Sequence, residues 1–226
     1  MTGQYAELHC HSCCSLREGA STPRELIERA LSLGYSALAL TDHDNVYGAM
    51  EFSRQATEQG LKAISGAEVT LTSGHHLTLL VRDSTGWSNL CQLLTHAYLD
   101  WNTKDDPRLD PALLPQHSAG LIALSGCRMG EIPALLMADA EEAAATLAGR
   151  YREWFGPDGF WFELQRNFVD GDVDRVRALM KLARRLGIGC VATNNAHYHV
   201  EERASLQDVL VAIRHRTTLQ LSLIHI

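Results

Sequence analysis

The chain has 226 residues, of which 46% are hydrophobic and 21% are charged, and its formal net charge is -7. This composition is typical of a globular protein with one substantial core, so we expect one domain. The negative charge argues against a basic surface that grips nucleic acid through its phosphates. No apolar run approaches the ~18 residues of a membrane helix, and the first residues do not resemble a secretion signal. We therefore expect a cytoplasmic protein with reduced cysteines and no membrane contact.

Short apolar runs alternate with longer amphipathic segments. The short runs predict seven strands at 5–10, 37–41, 61–71, 76–81, 120–125, 160–164 and 189–193. The longer segments predict helices at 22–33, 46–59, 86–99, 131–137, 139–155, 172–186 and 201–215. This alternation is typical of βα units in a parallel barrel or a doubly wound sheet. The predicted core includes Leu8, Leu38, Leu40, Leu79, Ile122, Leu124 and Val191.

The placement of polar residues favours the barrel. Potential ligands and carboxylates lie in or just after predicted strands: His9, His11, Asp42, His43, Glu68, Cys127 and His197. Barrel enzymes assemble their sites at the carboxyl ends of several strands, whereas a doubly wound sheet concentrates its site at one switch point. The sequence therefore predicts an α/β barrel with its site at the strand ends.

Two short motifs carry imidazoles. In His9-Cys10-His11 the two histidines are two residues apart, so on a strand they face the same way and can bind one cation. Around His43, the carboxylates of Asp42 and Asp44 flank a third imidazole. A helix N-cap explains Asp44 equally well.

Glu68 lies in an otherwise apolar strand, where a charge is costly unless a partner, such as a cation, compensates it. His76 and Cys127, each taken alone, fit a structural role. Taken together, these side chains predict divalent metal binding, with Zn²⁺, Mn²⁺, Fe²⁺ or Mg²⁺ as the cofactor; the mixed donor set suits the first three better than Ca²⁺. Such clusters activate water for phosphoester hydrolysis. No catalytic group is assigned beyond this water, and Glu68 and Asp42 are the candidate carboxylates.

Several motifs occur in an order that points to a known family. The segments 9–12, 41–44, 66–68 and 196–197 resemble the motifs of the PHP (polymerase and histidinol phosphatase) phosphoesterases. The longer segments 7–21, 42–52, 76–80, 125–131 and 192–198 are similar to the PHP domain of bacterial C-family DNA polymerases, the DNA polymerase III alpha subunit and its error-prone relative. The resemblance implies a distorted (β/α)7 barrel over 1–219, followed by a truncated or foreign tail at 220–226.

The resemblance also implies a set of metal ligands that serves two or three ions. The positions are His9, His11, Glu18, His43, Glu68, His76, Cys127, Asn195 and His197. Two of them depart from the family pattern. Glu18 replaces an aspartate and keeps the charge, whereas Asn195 replaces an aspartate and removes it. An amide oxygen is also a poorer donor to a transition metal.

The resemblance implies that the chain is a fragment of a DNA-directed DNA polymerase. The nucleotidyl-transfer site is then expected further along the parent chain. The fragment itself is then at most a metal-dependent phosphoesterase, either a weak 3′-to-5′ exonuclease or a structural support. Asn195 and the segments 197–203 and 213–215 resemble the error-prone branch more closely. The implied partners are primer-template DNA, the rest of the polymerase, and other replication or mutagenesis proteins. Two alternatives are a free-standing phosphatase of the histidinol-phosphate type and a non-catalytic scaffold stabilised by metal.

Overall fold

A computed structural model describes residues 5–100 and 106–219; the predicted tail at 220–226 lies outside the described residues. Within these ranges all predicted strands are present, and their order in the sheet follows the chain. They are β1 (Ala6–Glu7), β2 (Ala37–Leu40), β3 (Lys62–Thr70), β4 (His76–Val81), β5 (Leu121–Leu124), β6 (Phe160–Gln165) and β7 (Cys190–Thr193). The first strand is shorter than predicted, because only an isolated bridge at Cys10 continues its pairing.

The predicted helices are also present, with boundaries that shift by up to a few residues. They are α1 (Pro23–Ser32), α2 (Ala49–Glu58), α3 (Ser84–Leu99), α5 (Glu131–Met137), α6 (Glu141–Phe155), α7 (Asp172–Leu186) and α8 (Ala204–His215), which follows a 3-10 turn at Glu201–Arg203. A 3-10 turn at Pro111–Leu113 and the one-turn helix α4 (Leu114–His117) were not predicted, since segments this short show no periodicity. Among the described residues, no helix is long and apolar enough to cross a membrane.

The direction of β4 corrects the expectation of a parallel sheet. This strand runs antiparallel to both β3 and β5, whereas the other neighbouring pairs are parallel. Only residues 71–75 connect β3 to β4, and a parallel crossover needs about a dozen residues or more. The short connection therefore forces a hairpin.

The chain divides into two compact units. The first unit comprises Met1–Ser65 and Asn195–Ile226, and the second comprises Gly66–Asn194. In the first unit, α1 and α2 pack on β2 through a buried cluster that includes Ile27, Leu40 and Phe52. A parallel bridge joins Cys10, just after β1, to Ala196, just after β7. This bridge brings two separate segments with predicted ligands to the same place.

The core prediction is confirmed at four positions and wrong at three. The side chains of Leu38, Leu40, Leu79 and Leu124 are buried. The side chains of the other three residues, Leu8, Ile122 and Val191, are only half-buried. Ile122 lies two residues from the buried Leu124 and so faces the same side of β5, which means that strand alternation alone does not decide which side chains enter the core.

Replacing Leu40 by Ala should destabilise the protein by roughly 2 to 5 kcal/mol, because its 3% exposed side chain would leave a cavity among packed neighbours. Urea denaturation measures this free energy of unfolding. Met50→Ala in the same unit is the control, since Met50 is 78% exposed and should cost less than about 0.5 kcal/mol. Equal costs for the two variants would contradict the placement of Leu40 in the core.

Candidate metal centre

The segment after β1 brings two imidazoles together. His9 and His11 are both fully buried, at 0% exposure, and their Nε2 atoms lie 3.2 Å apart. Hydrogen bonds fix the backbone: the His11 amide donates to Ala196 O (2.8 Å), and the Ala196 amide donates to His9 O (3.0 Å). His197 follows, and its ring stacks on His11 with 4.6 Å between ring centroids. The prediction that His9, His11 and His197 come together is met within the first unit.

Asp42 orders the loop that follows. Its buried Oδ1 accepts hydrogen bonds from the Ser12 amide (2.7 Å) and from Ser15 Oγ (2.8 Å), and its Oδ2 accepts one from Ser12 Oγ (2.9 Å). Burial raises the pKa of the Asp42 carboxyl, and the hydrogen bonds from Ser15 and Ser12 oppose that rise. Because these bonds engage both oxygens, Asp42 is placed to hold the loop.

Ser15 selects the tautomer of a neutral His11, a role that the sequence did not suggest. The Ser15 hydroxyl has one proton, and it uses that proton in the hydrogen bond that it donates to Asp42 Oδ1. The same oxygen must therefore accept from the His43 amide (2.9 Å) and from His11 Nδ1 (3.0 Å). A neutral His11 then carries its proton on Nδ1, and its Nε2 presents a lone pair toward His9. This is how a second layer of hydrogen bonds prepares a histidine ligand.

His43 and Glu18 form a second group in the first unit. His43 Nδ1 lies 2.9 Å from Glu18 Oε2 and 3.1 Å from Oε1, and His43 Nε2 lies 3.4 Å from Asp44 Oδ2. The alternative of an N-cap at Asp44 is wrong, since α2 begins later and its N-cap is Gly48. Asp44 instead adopts a left-handed backbone conformation with φ of 54°.

Asn195 lies just after β7 with a left-handed φ of 51°. Its Oδ1 atom is buried and has no hydrogen-bond partner among the described residues. A buried carbonyl oxygen without a partner is costly, which makes it a suitable donor to a cation. A cation bound to Asn195 Oδ1 would therefore remove the free-energy cost of burying this oxygen without a hydrogen bond.

In the second unit, Glu68, His76 and Cys127 come together. Glu68 is buried on β3, and its Oε1 lies 3.3 Å from Nδ1 of His76, which is half-buried on β4. The same His76 nitrogen lies 3.8 Å from Cys127 Sγ. Burial raises the pKa of the Cys127 thiol well above its usual value, and the nearby Glu68 charge raises it further. A divalent cation would reverse this preference, because it replaces the thiol proton.

Glu163 is a further buried carboxylate in the second unit that the sequence analysis missed. It lies on β6, where its Oε1 accepts from Thr193 Oγ1 (2.5 Å) and from Gln165 Nε2 (2.9 Å). Its charge also contributes to the raised pKa of the Cys127 thiol, after burial and Glu68. The signal was present, since Glu163 interrupts an apolar strand in the way that Glu68 does.

Each unit by itself offers donors that fit a divalent cation. The first unit offers a histidine with an oriented ring, a carboxylate and an amide oxygen without a partner, and the second offers a carboxylate, an imidazole and a thiol. Mixed nitrogen, oxygen and sulfur donors of this kind suit Zn²⁺ and its neighbours among the transition metals.

Comparison with known proteins gives the family. The model of the PHP domain matches residues 7–167, more than half of the chain. The chain belongs to the PHP domain family. A crystal structure of a proposed metal-dependent phosphoesterase from Bifidobacterium adolescentis is similar to this PHP domain with a TM-score of 0.59 and 17% identity, over 86% of this chain and 88% of that chain. This likeness confirms the predicted fold class, an α/β barrel of the PHP type.

Curated relatives of this PHP domain are DNA polymerases. The chain is 40% identical to the error-prone DNA polymerase of Symbiobacterium thermophilum, over 93% of this chain and 21% of that protein. It is 39% identical to DNA polymerase III subunit alpha of Treponema pallidum, over 92% of this chain and 19% of that protein. The chain thus spans about a fifth of the length of these relatives.

Replacing Asp42 by Ala should lower the affinity for Zn²⁺ about 10- to 100-fold, because the loop that orients His11 and His43 loses its anchor. Titration of metal-free protein against a competing chelator measures this affinity. The exposed Asp100→Ala variant is the control for the loss of one carboxylate. An affinity that Asp42→Ala leaves unchanged would contradict the positioning role.

Proposed function

We propose that this PHP domain is a metal-dependent phosphoesterase that acts as a weak 3′-to-5′ exonuclease within a bacterial C-family DNA polymerase. The observation that carries the proposal is the pairing of His9 and His11, in which Ser15 and Asp42 place the proton of a neutral His11 on Nδ1. A fully buried pair of imidazoles held in this way has the geometry of a ligand pair for a cation.

The proposed ligands include all nine positions that the family resemblance implies. They are His9, His11, Glu18, His43, Glu68, His76, Cys127, Asn195 and His197. Asp42 is proposed as a positioning residue, since hydrogen bonds from Ser12 and Ser15 already engage its oxygens. Zn²⁺, Mn²⁺ and Fe²⁺ suit this set, and Mg²⁺ suits its oxygen donors.

When bound, divalent ions activate water and stabilise the developing charge on the phosphoryl group and the leaving oxygen. The protein supplies the orientation of the donors. Ser15 keeps the proton of His11 on Nδ1, and Asp42 holds Ser15 and the loop in place. The negative charges of Glu68 and Glu163 keep the Cys127 thiol protonated, and a cation bound there would be attracted by both carboxylates and would replace the thiol proton.

The polymerase context rests on the relatives. Error-prone and replicative polymerases are both similar over more than nine-tenths of this chain, at 40% and 39% identity, so the proposal covers the C-family as a whole. Primer-template DNA and the remainder of a polymerase chain are the proposed partners. The relatives' much greater length disfavours a free-standing phosphatase of the histidinol-phosphate type.

A metal-stabilised scaffold is the second candidate. Asn195 favours it, because an amide stands where the family has a carboxylate, and closely spaced cations need anionic ligands between them. Such a domain would retain metal without hydrolysing DNA. The two candidates therefore differ in product formation and agree in metal content.

The deciding experiment incubates the purified protein with a labelled primer-template and Mn²⁺ or Zn²⁺. Metal-dependent release of nucleotides from the 3′ end is expected, with loss on chelation and in a His9→Ala, His11→Ala double variant. Elemental analysis of the same samples reports the bound metal. Bound metal without any nucleotide release would contradict the exonuclease proposal and support the metal-stabilised scaffold.

Asn195→Asp should raise the rate of metal-dependent nucleotide release by about tenfold or more, because it restores an anionic donor. Aspartate also tolerates the left-handed backbone at this position. The control is Asn194→Asp, the same charge change at the exposed neighbouring residue. An unchanged rate and unchanged metal affinity in Asn195→Asp would remove Asn195 from the ligand set. Tighter metal binding without nucleotide release would support the scaffold.

A further inference from the structure

Phe168 is more exposed than any other large apolar side chain among the described residues. It is 90% exposed and lies on the loop 166–171, between β6 and α7. Its backbone has a left-handed φ of 60°. This conformation suits glycine, asparagine and aspartate and is unfavourable for a bulky side chain. Neither burial nor local backbone preference therefore accounts for a phenylalanine at this position, and such an outlier points to a functional contact.

Asp172, the first residue of α7, holds the backbone on both sides of Phe168. Its buried side chain accepts hydrogen bonds through Oδ2 from the Asn167 amide (2.6 Å) and the Val169 amide (3.2 Å). The Asp172 amide in turn donates to Val169 O (3.1 Å). Hydrogen bonds to a charged acceptor are strong. The loop is therefore held in place without a ligand, so that binding on the ring requires little further ordering.

Arg166 lies beside the Phe168 ring. Its guanidinium carbon is 5.6 Å from the ring centroid, the geometry of a cation–π contact. Within residues 5–100 and 106–219, the exposed Arg166 guanidinium forms no ion pair and no hydrogen bond. Since the ring is 90% exposed, the guanidinium leaves most of it open to solvent. The loop thus presents an aromatic face and a cation with available hydrogen-bond donors side by side.

The loop lies at the edge of the sheet where the second unit holds its buried donors. β5 and β6 are parallel, Cys127 follows β5, and the loop follows β6. The amide of the buried Glu163, on β6, donates to Ser125 Oγ (2.9 Å), two residues before Cys127. The carboxyl ends of neighbouring parallel strands meet at the same edge of a sheet. Phe168 and Cys127 therefore lie at the same edge of the second unit.

We propose that Phe168 and Arg166 form a binding subsite for single-stranded DNA, in which a base stacks on the Phe168 ring and Arg166 binds a phosphate of the same strand. Aromatic rings stack on bases of any sequence, and a guanidinium binds phosphate oxygens with two parallel hydrogen bonds. One ring and one cation suffice for this local contact, which a chain with a net charge of -7 can provide.

A protein partner is disfavoured as the occupant. Within the described loop 166–171, Phe168 is the one large apolar side chain that is exposed, which is less than a protein interface needs. The inference rests on the proposed function for its role in hydrolysis, because the subsite would hold the strand at the edge that carries the proposed ligands of the second unit. Binding of DNA to the subsite does not itself require metal.

Stacking is tested by the fluorescence anisotropy of a labelled oligothymidylate with the full chain, without added metal. Phe168→Ala should weaken binding about fivefold or more, as the loss of one stacked base does. Phe168→Leu keeps an apolar side chain without a ring and should weaken binding similarly, whereas Phe168→Trp should retain the affinity. The control is Leu99→Ala, at a 76% exposed apolar residue of the same unit, and it should leave the affinity unchanged.

The phosphate contact is tested by repeating the titrations at several salt concentrations. Arg166→Gln should weaken binding and reduce the slope of log affinity against log salt by about 0.7, the value for one phosphate contact on a single strand. Arg166→Lys should keep the slope. Phe168→Ala should lower the affinity without changing the slope, because stacking releases no counterions. The fluorescence that Phe168→Trp adds to the protein should be quenched when DNA binds, as expected for a ring in contact with a base.

The outcomes separate this inference from the proposed function. Absence of DNA binding, or equal affinity of the unmodified protein and Phe168→Ala, would overturn the subsite. Full affinity in Phe168→Leu would overturn stacking and indicate a simple apolar contact. Metal-dependent nucleotide release with unchanged DNA affinity in Phe168→Ala would overturn the subsite and leave the proposed function in place. DNA binding that depends on Phe168, without any nucleotide release, would contradict the exonuclease and support the subsite.

Discussion

The single proton of the Ser15 hydroxyl constrains the site in the first unit. Ser15 uses this proton in its hydrogen bond to Asp42, so the Ser15 oxygen must accept hydrogen bonds from both the His43 amide and His11 Nδ1. A neutral His11 therefore carries its proton on Nδ1. Asp42 in turn tolerates burial because it accepts several hydrogen bonds from one short loop. Ligand orientation in this unit thus depends on a buried carboxylate that is not itself proposed to touch the metal.

The second unit meets a similar constraint with different chemistry. Two buried carboxylates, Glu68 and Glu163, lie near a buried thiol, and this arrangement favours the protonated form of Cys127. Such a cluster is compensated either by protons or by a cation. Since metal and protons compete for the same donors, metal affinity should fall as the pH is lowered. Stability and metal occupancy are then linked through the same side chains.

Much of this architecture could be predicted from the sequence. The apolar runs gave the strands and the main helices, and the pattern of strand-end ligands, together with the resemblance, predicted histidines that the structure brings together, such as His11 and His197. The direction of β4 could also have been predicted, because residues 71–75 are too few for a parallel crossover. Glu163 carried the same signal as Glu68 and was overlooked.

Other features had no local signal. Ser15 is an ordinary loop serine until Asp42 and His43 are folded against it. Phe168 has no sequence signal either, since only the tertiary fold shows that its ring is exposed. The N-cap interpretation of Asp44 was wrong because α2 begins later than its pattern suggested. Hydrogen-bond partners and caps depend on where loops are placed, which periodicity does not report.

We propose that buried histidines, carboxylates and a cysteine of this PHP domain bind a divalent cation. X-ray absorption at the zinc edge, recorded on protein loaded with Zn²⁺ and then dialysed, would show the atoms that surround the ion. We expect a retained ion with an imidazole shell at about 2.0–2.1 Å and a sulfur contribution at about 2.3 Å. Loss of zinc on dialysis, or a shell of water oxygens alone, would contradict it.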